Sequence, residues 1–304
     1  MQYNKPPLTF QGQISLLQSR GLIIKDLGFA EQTLKRISYY RLSAYLHFFQ
    51  EQNSPNHQYR SGTTFESVLN LYKFDKSLRM LVFNATESIE VAIRTQMIYQ
   101  LSHEYGSHWY VDSALFDDVQ KHQELISFIT QYCNSRKVEE FIEHYRNKYT
   151  HPPLPPSYMA LEIISFGQLS RMYANLKPCN ARSAVHNYFQ IPHKFFISWL
   201  RSLSHIRNIC AHHSRLWNVQ LGESPKLPNR LQEDWLSQAI ITEINQNNRR
   251  KIFKGLCCIQ YLLDRIKPEH KFVKHLQVTF DMYPDVDIKN MGFPESWKSQ
   301  ALWQ

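Results

Sequence analysis

The chain has 304 residues, 43% hydrophobic and 20% charged, a balance that excludes a disordered or low-complexity protein and allows one large domain or two ordinary ones. Thirty-five Lys and Arg against 26 Asp and Glu leave a net charge of +9 and a pI near 9.2, which favours a polyanionic partner through counterion release. Five cysteines without a C-x-x-C pair exclude a disulfide framework, and neither an 18-residue apolar run nor an apolar leader in Met1–Leu8 is found, so a cytoplasmic protein with no membrane partner is expected.

Only nine glycines occur, and most of the 14 prolines sit in short clusters, so long helical stretches are expected between breaks. Thr9–Arg20 predicts a short helix with Gly21 as its C-cap. A second helix is expected from Phe29 to Phe49, followed by a polar loop over Glu51–Gly62. Thr63 and Glu66 read as a T-x-x-E capping box ahead of a long apolar run, Val68 to Met97, ending near Tyr105–Gly106. Asp75, Arg79, Glu87, Glu90 and Arg94 are like-facing polar residues in that run, and ion pairing along or between helices is the default role of Glu87, Glu90 and Arg94.

Lys121–Cys133 and Lys137–Lys148 predict two more amphipathic helices, and the four prolines of His151–Ser157 break the chain. Ser157–Leu176 resumes as helix, interrupted near Ser165–Phe166–Gly167, and His193–His213 follows Pro192. Beyond the break at Pro225–Pro228, helical patterns cover about 231–245 and 248–266, and Pro284–Gln304 is rich in turn residues. The expectation is an all-α protein: a helical bundle over 1–224 with a C-terminal helical extension over 225–304.

The segment His205–Asn218, HIRNICAHHSRLWN, carries the chemistry. RNA holds its own nucleophile, the 2′-hydroxyl, so cutting it needs a proton acceptor, a proton donor and positive charge at the phosphate. Histidine titrates in the right range, and arginine is a fixed cationic fork. On an ideal helix of about 100° per residue, Arg201, His205, Asn208 and His212 share one face, while Trp199, Leu203, Ile206 and Cys210 form the opposite, apolar stripe. Arg207 lies about 140° from His212 on that wheel. Its side chain curls toward the site, or the helix ends there, or it meets a second subunit; spacing does not choose. His213 reads as a helix-end residue, Arg215 and Trp217 as packing against that end, and a zinc site is disfavoured because adjacent histidines diverge on a helix. Glu162 is a candidate cleft residue or a partner for Arg207. Tyr39, Tyr40 and Arg41 could stack on bases or contact phosphate, and core packing is the leading expectation for the two tyrosines.

The stretch Arg207, Asn208, Ala211, His212, His213, Arg215, Leu216, Trp217 and Asn218 resembles the R-N-x-x-A-H-H-x-R-L-W-N signature of abortive-infection (Abi-like) proteins of the AbiD/AbiF group. Other segments agree in order: Lys5–Thr9, Tyr39–Ser43, Leu71–Asp75, Glu87–Glu90 with Arg94, and Glu162 with Ser165–Gly167. The resemblance covers about residues 5–220. It implies a HEPN-like helical bundle and a metal-independent endoribonuclease acting in phage defence, with no cofactor. Arg207 and His212 would be the catalytic pair, Asn208 would position them, and Arg201, His205, His213, Arg215 and Glu162 would line an RNA cleft. It also implies a homodimer that pairs two motifs, with RNA as partner, a small noncoding RNA included. The alternative is a non-catalytic protein that holds a structured RNA in the same basic cleft.

Overall fold

The computed structural model describes residues 2, 6–231, 235–247 and 249–304. Among them the chain forms thirteen α-helices, several 3-10 turns and no β-strand. The expected all-α class holds. The helices are α1 (Phe10–Ser19), α2 (Leu27–Arg36), α3 (Tyr39–Leu46), α4 (Phe65–Tyr105), α5 (Val119–Cys133), α6 (Glu140–Lys148) and α7 (Ser157–Ala160). They continue with α8 (Phe166–Asn175), α9 (Asn180–Tyr188), α10 (His193–Ala211), α11 (Gln238–Asn247), α12 (Phe253–Ile266) and α13 (Phe272–Met282). No helix among the described residues is long and apolar enough to cross a membrane. Two compact units are formed: residues 1–79 with 276–287, and residues 80–275 with 288–304.

In the first unit, Thr9 caps α1 by accepting from the Gly12 amide at 3.1 Å. Gly21 ends it at φ +86°, with the Leu22 and Gly21 amides returning to the Leu17 and Gln18 carbonyls. Both bonds of a Schellman motif are therefore made, and glycine is the residue that takes this backbone without a Cβ clash. The single helix expected over 29–49 is broken. Ile37 is extended (φ −124°, ψ 105°), and Ser38 starts α3 afresh by accepting from the Arg41 amide at 3.2 Å. Tyr40 is 87% exposed rather than in the core. The start of α4 also shifts by one residue: Thr64, not Thr63, accepts from the Ser67 amide, while Thr63 is buried and donates to the Arg60 carbonyl. Within this unit Asp75 is fully buried, paired with Arg79 one turn on and accepting from the Tyr45 hydroxyl at 2.6 Å. Burial is the main reason the Tyr45 phenol titrates well above its ordinary range.

In the second unit α10 is the central element, packing against α8, α9 and α12. Phe196, Trp199, Leu200, Leu203, Ile206 and Cys210 are all buried along it, so its apolar stripe is the one the helical spacing predicts. Gly255 of α12 sits at the closest approach to α10. A Cβ there would come within 2.4 Å of the Ile206 Cδ1 atom. The aromatic rings of Trp199, Trp235 and Tyr261 stack and cross at 5.5–5.7 Å between centroids, and the Trp199 indole donates to the Lys226 carbonyl. The turn-rich end contributes Phe293, Trp297 and Trp303, which close over Phe253 of α12. α8 opens with a capping box between Ser165 and Gln168, at the interruption the sequence marks with Ser165–Phe166–Gly167. Two helices are absent from the sequence reading, α9 and α13. The helix expected near 231–245 begins later, at Gln238, and residues 232–234 of that expectation lie outside the described residues, as does Lys5.

Candidate functional site

Helix α10 runs to Ala211, and His212 is its C-cap at φ −86°, ψ 9°. The next residue, His213, takes the left-handed backbone at φ +56°. Its amide donates to the Cys210 carbonyl, and the Ser214 amide reaches back to the Ile209 carbonyl at 3.0 Å. These two bonds form a Schellman closure, so it is the backbone of His213 that ends the helix. Here a histidine holds the position that usually falls to glycine. Beyond the turn, Leu216 and Trp217 are buried and Arg215 donates to the Trp217 carbonyl. Asn218 is again left-handed, at φ +53°, and accepts from the Lys251 ammonium. The R-L-W-N tail therefore anchors the turn that carries the two histidines.

Arg201, Asn208 and His212 are exposed on one face of α10, as the helical wheel predicts. The His212 imidazole has no hydrogen-bond partner among the described residues. His205 shares that face but is half-buried, because the chain at Gly222 lies against its ring; a Cβ on Gly222 would sit 3.6 Å from the His205 Nε2 atom.

Arg207 points elsewhere. Its Nε atom is 3.6 Å from Glu90 Oε2 on α4, and its guanidinium lies 5.9 Å from the centroid of the Phe83 ring. It also donates to the Asn208 side-chain oxygen at 3.3 Å. Glu90 is shared: its other oxygen accepts from Arg94 at 2.8 Å. Arg94 continues to the Ile164 carbonyl at 3.3 Å and to Glu162 at 3.4 Å. The result is a chain of alternating charge, Arg207–Glu90–Arg94–Glu162. Glu90 and Arg94 are buried, whereas the Glu162 side chain is 50% exposed. Two guanidiniums flanking one carboxylate compensate its desolvation, which a buried acid requires.

Arg207 is engaged by α4, an arrangement that is not among those the spacing suggests for it. No hydrogen bond joins it to His212. Glu162, expected to line a cleft or to pair with Arg207, has Arg94 rather than Arg207 as its partner. Spacing along α10 could not reveal Glu90 as the partner of Arg207. Its signal was the Glu87–Glu90–Arg94 pattern on α4, which reads equally well as a local ion pair. No group of three or more His, Cys, Asp or Glu side chains able to hold a metal ion occurs among the described residues.

A family model described as Abi-like protein matches residues 32–218. The matched span begins within α2 and ends at Asn218, so it contains all of α10 and the whole His205–Asn218 segment. No curated protein and no solved structure matches the chain.

Proposed function

The chain belongs to the Abi-like protein family, and from that premise we propose that it is a metal-independent endoribonuclease of the HEPN type, acting in abortive infection. The observation that carries this reading is the end of α10: an exposed, unpartnered His212 imidazole, five residues after an arginine held in place by Glu90. In the proposed reaction the RNA 2′-hydroxyl loses its proton to a base and its oxygen attacks the adjacent phosphorus. The bond to the 5′-oxygen breaks, and that oxygen is protonated as it leaves. The products are a 2′,3′-cyclic phosphate and a 5′-hydroxyl. His212 serves proton transfer, Arg207 offsets charge on the phosphate, and Asn208 steadies Arg207. The net charge of +9 supports a polyanionic substrate.

Arg207 and His212 leave α10 in different directions, so one copy supplies an incomplete site. The reading therefore calls for a homodimer in which two α10 ends meet. Incubating the full chain with total RNA in EDTA tests it. Cleavage leaving cyclic phosphate ends is expected, and His212→Ala should abolish it. Intact RNA under all conditions, or equal cutting by His212→Ala, overturns the reading. The engagement of Arg207 by Glu90 favours one second reading, a non-catalytic RNA-binding protein. RNA retained by His212→Ala and never cut by the wild type would select it.

A further inference from the structure

A second basic feature of the same unit is not used by the proposed reaction. The connection after α10 and the start of α12 enclose a cleft of about 870 Å³. Lys226, Arg249, Arg250 and Lys254 line it, with Asn245 beside them and Glu223 as the one acid among the described residues of its lining. Lys254 is the unusual member. It is only 4% exposed, and its ammonium donates to the Asn245 side-chain oxygen at 3.0 Å, with no carboxylate partner among the described residues. Burial, and to a lesser degree the neighbouring Arg249, depress its pKa, partly offset by Cys258 and Cys257. A buried cation without a counter-ion is costly, and proteins normally pair it.

The surroundings supply more positive charge instead. Arg250 spends its Nε on the Leu221 carbonyl, which fixes its guanidinium and leaves the fork ends for a ligand. The Ser224 hydroxyl donates to the Arg249 carbonyl, tying the two walls together. The Asn245 amide nitrogen remains as a neutral donor, since its oxygen is taken by Lys254. A fixed arginine fork, a point-charge ammonium and an amide donor around one cleft match the oxygens of a phosphate group.

We infer that this cleft is a phosphate-binding site, with Lys254 at its floor and Arg249 and Arg250 at its rim. The phosphate is that of an RNA backbone or of a free nucleotide. The inference does not rest on the nuclease reading. Its test uses probes that a nuclease of the proposed type cannot cut: a fluorescein-labelled 2′-O-methyl oligonucleotide, ATP and inorganic pyrophosphate, each titrated onto the full chain. Lys254→Met removes the buried charge and keeps the volume; Arg249→Ala with Arg250→Ala tests the exposed rim and does not depend on how the core tolerates a change.

Wild-type protein should bind at least one probe saturably at physiological salt, and each variant should weaken that binding at least about tenfold, the loss of one charge-assisted contact. At the same ligand concentration, bound ligand should raise the melting temperature of the wild type more than that of Lys254→Met. Oligonucleotide displaced by pyrophosphate assigns the site to a nucleic-acid backbone; ATP or pyrophosphate binding without oligonucleotide binding assigns it to a free nucleotide or phosphate. Absence of saturable binding by all three probes overturns the inference, as does unchanged affinity in the Arg249→Ala, Arg250→Ala double variant.

Discussion

Glu90 is the residue on which the candidate site turns. It is buried and faces two guanidiniums, so removing its charge leaves Arg207 without its carboxylate and Arg94 with only the half-exposed Glu162. Glu90→Gln should cost about 3 kcal/mol, the lower end for breaking a buried pair, because Arg207 is partly solvated. Glu162→Gln, at the half-exposed end of the same chain of charges, should cost under about 0.5 kcal/mol. Urea titrations of the two variants check this, and equal losses would mean that the network is not centred on Glu90. The comparison also marks what a sequence conveys at this scale. The shared face of Arg201, Asn208 and His212 was legible because it needs only the period of one helix. The Arg207–Glu90 pair was not, because it joins residues 117 positions apart and depends on how α4 meets α10. The left-handed His213 was equally hidden, since nothing in a histidine announces a position that glycine usually takes.

At the scale of the helix, α10 is legible at both ends for simple reasons: Pro192 precedes it and its apolar stripe runs unbroken to Cys210. Breaks made by a single capping side chain are harder to read. Ser38 splits α2 from α3 without a glycine or proline to mark it, and two adjacent threonines at 63 and 64 offer the same cap in two registers. The start of α10 carries a pH effect. Burial first, then Arg182 and His186, push the His193 pKa down to about 4. The Tyr173 ring also faces it, at 5.8 Å. In the unfolded chain this histidine takes up a proton near pH 6.5, so between that pH and about 4 the unfolded state binds more protons. The stability contributed by neutral His193 is therefore present above pH 6.5 and lost as pH falls toward 4. Melting temperatures of His193→Gln should fall less over this window than those of the wild type; parallel curves would remove His193 as the cause. Where α10 meets α12 the constraint is steric. Gly255→Ala puts a methyl group against the Cδ1 end of the buried Ile206, which must shift to admit it, and should cost about 1–3 kcal/mol in denaturant titrations. A neutral result would show that Ile206 can change rotamer freely.

For the molecule as a whole, the question is how many copies make one site. A single chain presents His212 outward and holds Arg207 against α4, so the proposed chemistry needs the arginine and the histidine to arrive from different copies. Two variants, Arg207→Ala and His212→Ala, separate these contributions. Each forms homodimers that lack one of the two groups at every site, so neither should cut RNA alone. Mixed dimers retain one arginine and one histidine, supplied by opposite chains. If the site is shared, co-refolding or co-expressing the two variants should restore measurable cleavage, with activity tracking the mixed-dimer fraction separated by differing affinity tags. If each chain instead works by itself, the mixture stays as inactive as its parts, because every chain in it lacks a required group. Light scattering belongs beside this experiment: a monomer at assay concentration that nevertheless cuts RNA would exclude the shared site. It would then require Arg207 to leave Glu90 and swing toward His212 within one chain, and Glu90→Gln, which releases that arginine, would raise the cleavage rate instead of lowering it.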